Sequence, residues 1–212
     1  MKPVVQVALD LTSISEAIKI GRAAASEGVQ WIEAGTPLIK SEGLKAVREL
    51  KQEFPENIIV ADMKTMDTGE LEVSMAADAG ADVVSVLAAS PQETIEGAVK
   101  AAEEHNVKLL ADLIACPERK NLASKLEELG VDYVGVHVGI DQQRTGMSPL
   151  DHLKSISDSV EIPIAVAGGL TAETIPETIN SGATIIVVGG AITGAEDVSK
   201  AAQEIVEATK EG

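Results

Sequence analysis

Short apolar runs alternate with longer helix-like stretches along the whole chain. Four of these runs each follow a glycine that ends a stretch rich in alanine, glutamate and lysine. They span residues 28–32, 80–84, 130–134 and 182–186. The glycines, at 28, 80, 130 and 182, are 52, 50 and 52 residues apart. Because a glycine just past the last turn often terminates a helix, the pattern predicts four helix-to-strand transitions.

Four further apolar runs lie between these, at 4–9, 58–61, 108–113 and 164–167. All eight runs are short, mostly apolar on both faces and joined by helical stretches, as parallel strands require. Eight strand–helix units favour a closed (β/α)8 barrel, the TIM barrel of the α/β class, over an open sheet. With 212 residues the chain is near the ~250 typical of one barrel, so we predict that residues 1–212 form a single catalytic domain.

Two helix starts carry the pattern of a capping box, in which a serine and a glutamate three residues later cap the helix reciprocally. One is Ser13 with Glu16, and the other is Ser90 with Glu93. The second also has Pro91 at the first helical position, where proline is well tolerated. The pattern predicts helices that begin directly after Ser13 and Ser90.

Composition excludes several classes of function. The formal net charge of -17 would repel a phosphate backbone or an anionic membrane, so nucleic acid and lipid are poor partners. Cys116 is the only cysteine, which excludes an intrachain disulfide and a cysteine-based zinc cluster. No apolar N-terminal segment or uninterrupted span of ~20 apolar residues indicates secretion or membrane insertion. We therefore expect a cytoplasmic protein.

Charged residues cluster where the predicted strands end. Asp62, Lys64 and Asp67 follow the run 58–61, while Asp10 follows the first strand and Glu33 the second. On an extended strand Asp62 and Lys64 share one face, and Asp67 falls in the following turn. Each acid taken alone is equally well explained as a cap of the next helix. Together with an embedded lysine, the acids favour a functional site.

The same edge gains further groups from later strands, because the active site of this fold lies at the carboxyl ends of the strands. Asp112 and His137 lie near this edge and belong to the fifth and sixth predicted strands. The seventh and eighth strands end in glycine pairs, where backbone amides can approach an anion. These pairs are Gly168 with Gly169 and Gly189 with Gly190. Loops at these two positions commonly bind phosphate, so we predict a phosphate cradle.

The motif Asp-x-Lys-x-x-Asp, formed by Asp62, Lys64 and Asp67, resembles the signature of the orotidine 5′-monophosphate decarboxylase superfamily. The resemblance runs the length of the chain. Nucleotide decarboxylases of this superfamily carry a lysine after the second strand, whereas this chain has Glu33, which is similar to the metal-dependent branch. That branch contains 3-keto-L-gulonate 6-phosphate decarboxylases and 3-hexulose-6-phosphate synthases, which share a 1,2-enediolate intermediate.

Two segments separate these possibilities. The decarboxylases of the branch have arginines at the positions that Ile140 and Ala191 occupy here, and the segments 137–143 and 188–193 are more similar to the synthases. The resemblance then implies reversible condensation of D-ribulose 5-phosphate with formaldehyde to D-arabino-hex-3-ulose 6-phosphate. Small sugar phosphates and formaldehyde would be its partners. The superfamily also implies a homodimer with shared active sites, in which Asp67 reaches the partner's site.

The resemblance also implies roles for the clustered residues. Glu33 and Asp62 would bind Mg²⁺, with Mn²⁺ as an alternative, because hard oxygen donors suit these cations. Lys64 would stabilise negative charge on the substrate and Asp67 would orient Lys64. His137 would remove the C1 proton, since its ordinary pKa near ~6.5 suits proton transfer at neutral pH.

The remaining acids, Asp10 and Asp112, would bind sugar hydroxyls or orient Lys64. A polar stretch at 139–148, which includes Gln142 and Arg144, is either a cover over the substrate or a flexible surface loop.

Three alternatives remain open from the sequence. The first is the decarboxylase of the same branch, and the missing arginines count against it. The second is a pentulose-phosphate 3-epimerase, which needs a metal site richer in histidine. The third is a non-catalytic sugar-phosphate binding protein, which would have no need of the charged cluster or of His137.

Overall fold

The computed structural model describes residues 3–210 and Gly212, and it shows a closed barrel of eight parallel strands surrounded by helices. The strands are β1 Val4–Leu9, β2 Trp31–Ala34, β3 Ile58–Thr65, β4 Val83–Leu87, β5 Lys108–Asp112, β6 Tyr133–His137, β7 Ile164–Ala167 and β8 Ile185–Val188. The helices are α1 Ile14–Ser26, α2 Thr36–Glu42, α3 Lys45–Glu53, α4 Gly69–Asp78, α5 Gln92–His105, α6 Arg119–Glu128, α7 Ile140–Gln143, α8 Leu150–Ser157, α9 Ile175–Asn180, α10 Gly190–Thr193 and α11 Val198–Ala208.

Each strand pairs with the next in the chain, and β1 closes the barrel by pairing with β8, with Val4 opposite Ile185. The predicted (β/α)8 barrel is therefore confirmed. All eight predicted runs overlap an observed strand. Where a barrel closes, no strand edge is left open to pair with another chain.

The four spaced glycines terminate helices as predicted. Gly28, Gly80, Gly130 and Gly182 follow the ends of α1, α4, α6 and α9, with φ of 96°, 100°, 94° and 108°. This left-handed backbone is unfavourable for residues with a Cβ, so glycine at these places ends each helix and turns the chain toward the next strand.

Neither predicted capping box forms. The hydroxyl of Ser13 lies 3.0 Å from the Ser15 hydroxyl and caps nothing, although α1 does begin at Ile14. Helix α5 begins one residue later than predicted, at Gln92, and the Ser90 hydroxyl donates to the carbonyl oxygen of Leu87 instead. In both cases the serine hydroxyl forms a hydrogen bond with a nearby group instead of the helix amides. Such local hydrogen bonds commonly compete with helix capping.

Apolar packing occupies two regions. The larger core fills the space between the outer face of the barrel and the helices, and it is built from aliphatic side chains and alanine. A smaller cluster fills the barrel interior, and at its amino-terminal end the rings of Trp31 and Tyr133 meet edge to face at 5.6 Å. The opposite, carboxyl end of the interior is left for polar side chains. Among the helices of residues 3–210, none is long and apolar enough to cross a membrane.

Candidate active site

A cavity of about 940 Å³ opens at the carboxyl ends of the strands. Ten of the eleven predicted site residues line it, and Asp67 is the exception. The ten are Asp10, Glu33, Asp62, Lys64, Asp112, His137, Gly168, Gly169, Gly189 and Gly190. We refer to this space as the central cavity. The predicted convergence of charges and glycines at one edge of the barrel is thus what the structure shows.

Lys64 owes its position to an irregular end of β3. The strand runs on to Thr65, four residues beyond the predicted run, and its register against β4 shifts between Ala61 and Thr65. Lys64 has a φ of 47°, which is uncommon for a residue with a side chain, and its amide donates to the Ser85 hydroxyl at 3.0 Å. Strained backbone of this kind clusters at functional sites. Here it places the Lys64 ammonium group among three strands.

The Lys64 ammonium group bridges two carboxylates. Its Nζ lies 2.7 Å from Asp62 Oδ2 and 3.1 Å from Asp112 Oδ2. Burial alone would lower the pKa of Lys64, but the charges of Asp62 and Asp112 outweigh burial and raise it. Lys64 therefore stays protonated throughout the neutral range and supplies a fixed positive charge rather than a base.

His137 is linked to the same network through Asp112. Its Nδ1 lies 2.9 Å from Asp112 Oδ2, and the other oxygen of Asp112 accepts from the Ile114 amide at 2.8 Å. Burial would raise the pKa of Asp112, but the hydrogen bond and charge of His137, together with Lys64, lower it. An ionised Asp112 favours a proton on Nδ1 of the ring and leaves Nε2 as the nitrogen available for proton transfer.

Asp62 is held by hydrogen bonds on both oxygens. Ser85 Oγ donates to Oδ1 at 2.7 Å, and Thr36 Oγ1 donates to Oδ2 at 2.7 Å. Neither Thr36 nor Ser85 was among the predicted site residues. Ser85 did carry a signal, because it is the one polar residue within the apolar run of β4. Thr36 lies at the start of α2 and carried no comparable signal.

Glu33 and Asp10 lie close to other carboxylates, whose negative charges repel their own. Burial raises the pKa of Glu33 well above its ordinary value, and Asp62 and Asp10 raise it further. The pKa of Asp10 is also raised, first by burial and then by Asp62. Asp10 packs closely against Gly35, where a side chain would collide with its carboxylate and with the Leu9 carbonyl. Lys64 alone does not neutralise the carboxylates of Glu33, Asp62 and Asp10, so this side of the cavity favours an added cation.

The oxygen donors around Glu33 fit a hard divalent cation. Gln6, a third polar residue that was not predicted, donates from Nε2 to Glu33 Oε2 at 2.6 Å. Its own Oε1 is buried and accepts no hydrogen bond from the described part of the chain. No group of three or more His, Cys, Asp or Glu in that part has the arrangement of a metal site. A cation held by Glu33 and Asp62 would therefore have to keep water ligands, as Mg²⁺ commonly does.

The glycine pairs line the same cavity at the ends of β7 and β8. Gly168 has a φ of 124°, and a Cβ there would collide with the carbonyl oxygen of Val138. Gly169 has a φ of 68°, and Gly190 begins the short helix α10. Glycine is thus required at 168 by the lack of space for a side chain, and it is favoured at 169 by the backbone conformation. Small residues here leave main-chain amides accessible from the cavity, which suits an anionic group.

Asp67 does not join this network within the chain. It is exposed in the turn between β3 and α4, and its Oδ1 accepts from the amide of Thr68 at 2.8 Å. The interpretation that Asp67 orients Lys64 is wrong within one protomer, because Asp62 and Asp112 occupy that role. A contact across a dimer interface stays a prediction.

The segment after β6 is more ordered than the predicted loop. Residues 140–143 form the short helix α7, and Gln143 Nε2 donates to the Val138 carbonyl at 2.8 Å. Ile140 and Ala191 both line the central cavity. By the resemblance, the decarboxylases of this branch have arginines at these two positions. Arg144 is exposed and pairs with Asp141 at 3.2 Å. Among the described residues, Lys64 is the one Lys or Arg side chain that lines this cavity.

Comparison with known proteins places this architecture in a family. Residues 3–205 match the family described as Orotidine 5′-phosphate decarboxylase / HUMPS. A 3-hexulose-6-phosphate synthase from Mycobacterium gastri is 43% identical over 94% of this chain and 96% of its own length.

Solved structures agree with this match. The 3-hexulose-6-phosphate synthase from Salmonella typhimurium has a TM-score of 0.95 at 34% identity, with all of both chains covered. The 3-keto-L-gulonate-6-phosphate decarboxylase from Vibrio cholerae has a TM-score of 0.86 at 32% identity, covering 99% of this chain and 98% of its own. The chain therefore belongs to the orotidine 5′-phosphate decarboxylase / HUMPS family.

Proposed function

We propose that the protein is an aldolase that joins formaldehyde to C1 of D-ribulose 5-phosphate and forms D-arabino-hex-3-ulose 6-phosphate, reversibly. The observation that carries this proposal is the full-length similarity to proteins named 3-hexulose-6-phosphate synthase. The central cavity supports it, because a fixed cation, a histidine and a glycine-lined anion cradle face one space of suitable size.

The charges lining the cavity favour the aldolase over the decarboxylase. A substrate that loses carbon dioxide brings a carboxylate into the site, and a second cation beside Lys64 would be expected to hold it. Ile140 and Ala191 line the cavity at the two positions where, by the resemblance, the decarboxylases of this branch carry arginines. Formaldehyde is small and uncharged, so it requires no such partner.

The proton chemistry is assigned to His137. With Nδ1 held by Asp112, the Nε2 atom would take the proton from C1 of the sugar phosphate. The electron pair of the broken C–H bond then forms the new bond to the formaldehyde carbon. The formaldehyde oxygen takes up a proton and becomes a hydroxyl group. Lys64 would stabilise the negative charge that develops on the sugar oxygens before the bond forms.

Three further groups would hold the substrate. The phosphate would be bound by main-chain amides around Gly168, Gly169, Gly189 and Gly190, as is usual after the last two strands of this fold. Glu33 and Asp62 would hold Mg²⁺, which supplies a Lewis acid beside the sugar oxygens when it is bound. Asp10, which lies between Gly35 and Gly189, would accept a hydrogen bond from a sugar hydroxyl.

The direct test is consumption of formaldehyde with D-ribulose 5-phosphate, with and without Mg²⁺. We expect metal-dependent consumption by the wild type and a loss of about 10²-fold or more in His137→Asn, because general acid–base catalysis typically contributes that much. His105→Asn is the matched control, since His105 ends α5 far from the central cavity and should leave the rate unchanged.

Absence of consumption by folded, Mg²⁺-loaded wild type would refute the proposal. Carbon dioxide release from 3-keto-L-gulonate 6-phosphate by the same preparation would then establish the decarboxylase. A rate that needs His137 but not added metal would separate the proton chemistry from the metal site.

We also propose that the protein forms a homodimer through the surface of α4. Met66, Leu71 and Met75 are exposed at 48%, 59% and 46% and lie beside Asp67. Large apolar side chains grouped in this way mark interaction surfaces. A second copy packed here would bring Asp67 toward its partner, as the family resemblance implies. The cytoplasmic location expected from the sequence stays a prediction.

Complementation between two inactive variants tests this arrangement. Asp67→Asn and Lys64→Met are each expected to be nearly inactive as pure proteins. If sites are shared, a mixed dimer holds one site with both defects and one intact site, so a mixture refolded together should recover roughly a quarter of the wild-type activity. No recovery, or a monomer by light scattering at assay concentration, would contradict the shared site.

A further inference from the structure

A second cavity of about 650 Å³ lies beside the central one, between the start of α6 and the segment 142–155. The first three residues of α6, Arg119, Lys120 and Asn121, line it on one side. Gln142 and His152 line it on the other. The proposed aldolase function uses neither Arg119 nor Lys120. We call this space the α6 cavity.

Arg119 is a buried cation that has no carboxylate partner within the described part of the chain. It is 7% exposed, and its Nε donates to the Cys116 carbonyl oxygen at 3.2 Å. Its Nη1 is fully buried and has no hydrogen-bond partner among the described residues. Within those residues no carboxylate oxygen approaches the guanidinium group closely enough to form a salt bridge. An unpaired buried charge is unfavourable, so such groups normally face a ligand or a counter-ion.

The start of α6 adds to the positive potential of the cavity. Amide groups of the first helical turn carry partial positive charge, and acidic side chains usually stand there. This ten-residue helix has Arg119 and Lys120 at its first two positions, no acid in its first turn and no side-chain cap. Among residues 3–210, Glu118, which precedes the helix, is the one carboxylate that lines the α6 cavity. In a chain with a formal charge of -17, a cavity with two cations and one acid stands out.

Gln142 provides an acceptor and a link to the active site. Its Oε1 is buried and has no hydrogen-bond partner in the described part of the chain, so it is suited to accept from a hydroxyl group. The same side chain lines both the α6 cavity and the central cavity. A ligand that contacts Gln142 in one cavity would therefore also affect the wall of the other.

From this arrangement we infer that the α6 cavity binds an oxyanion, the phosphate or carboxylate group of a small hydroxylated metabolite. The Arg119 guanidinium group, the Lys120 ammonium group and the first amides of α6 would hold the anionic group. Gln142 would accept from a hydroxyl of the same molecule. The volume exceeds what a single ion needs, which leaves room for the remainder of a small metabolite.

Calorimetric titration with inorganic phosphate tests the binding site in solution. The glycine cradle of the central cavity is intact in every variant, so it contributes equally throughout. Arg119→Met should lose one phosphate site or weaken it at least tenfold relative to the wild type. Lys125→Met, which removes a lysine from the far end of the same helix, should bind like the wild type. A parallel titration with acetate distinguishes a carboxylate site from a phosphate site.

The location is tested by soaking crystals with selenate and recording anomalous scattering. A selenium peak within hydrogen-bond distance of the Arg119 guanidinium group supports the site. Peaks confined to the glycine cradle, or phosphate isotherms that are the same for wild type and Arg119→Met, would overturn it. If Arg119→Met does not fold, Lys120→Met serves in its place, because Lys120 is exposed and its loss leaves the packing of α6 intact. None of these measurements depends on aldolase activity, so they stand or fall separately from the proposed function.

Discussion

The two ends of the barrel interior are built from the same strands but differ in chemistry. Strand β2 contributes Trp31 at the amino-terminal end and Glu33 at the carboxyl end, and β6 contributes Tyr133 and His137 in the same order. Side chains at the first end pack against each other without charge. Those at the second end are buried charges that hold one another in place. Apolar packing at the amino-terminal end stabilises the fold. That stability offsets the free-energy cost of holding charged groups away from bulk water at the carboxyl end.

This division predicts that substitutions at the two ends affect different quantities. At the amino-terminal end they should change the free energy of unfolding and leave turnover intact. At the carboxyl end they should change turnover, with or without a change in stability. Changes in rate and in stability can be compared as free energies, because a tenfold change in rate corresponds to about 1.4 kcal/mol.

The largest effect is expected for Lys64→Met, which removes the only Lys or Arg side chain lining the central cavity within residues 3–210. We expect kcat/KM to fall about 10³-fold, or about 4 kcal/mol, because a positioned charge that stabilises an oxyanion has effects of this size. Lys51→Met is the matched control. Lys51 also pairs with an aspartate, Asp82 at 2.8 Å, but outside the cavity. Equal losses in both variants would show that Lys64 has only a structural role.

Next in size is Trp31→Ala at the opposite end. Removing this buried ring should lower the free energy of unfolding by about 3 kcal/mol, as large-to-small substitutions in cores do. The measurement is urea denaturation followed by circular dichroism, with kcat of the folded fraction compared beside it. We expect kcat to change less than twofold. A large fall in kcat with unchanged stability would refute the division between the two ends.

Asp112→Asn should reduce kcat about 10²-fold, because the amide no longer holds His137 and Lys64 with a negative charge. It should also change the dependence of stability on pH. The pKa of Asp112 is lowered from its ordinary value of 3.8, so its charge stabilises the fold above that pH. This contribution is lost as the pH falls below 3.8 toward the lower pKa of the folded state. Urea denaturation at pH 7 and at pH 3 should show the wild-type advantage shrinking on acidification.

The smallest effect is expected for Ser85→Ala. The change leaves the Lys64 amide and Asp62 each without one hydrogen-bond partner, and we expect a loss of about 1–2 kcal/mol in stability and less than tenfold in kcat. Ser90→Ala is the control, because its buried hydroxyl donates to the local Leu87 carbonyl and lies outside the central cavity. An unchanged kcat in Ser85→Ala, with the stability loss equal to that of Ser90→Ala, would show that Ser85 does not position Lys64.

The features that the sequence predicted correctly depend on a few neighbouring residues. The terminating glycines need only a positive φ, and the convergence of Asp62, Asp112 and His137 needs only the parallel order of the strands. A short stretch of sequence is enough to predict the position of each terminating glycine and of each strand end. This is why the barrel and most of its site could be predicted without coordinates.

The features that were missed depend on contacts between distant segments. The positive φ of Lys64 arises where β3 shifts its register against β4, and no glycine or asparagine marks that place. The hydrogen bonds of Thr36 and Ser85 to Asp62 span 26 and 23 residues. The two expected capping boxes failed for a local reason instead. Their serine hydroxyls bond to groups two and three residues away, and the sequence alone does not determine which neighbouring group a serine hydroxyl binds.

Trp31 also determines how the molecule can be observed. It is the only tryptophan in the chain, and it is buried at the amino-terminal end of the barrel against Tyr133. Its fluorescence should therefore follow unfolding of the barrel closely and respond little to substrate at the other end. Detecting ligand binding at the carboxyl end will require an extrinsic label placed there. The unchanged Trp31 emission then serves as an internal reference that the barrel remains folded.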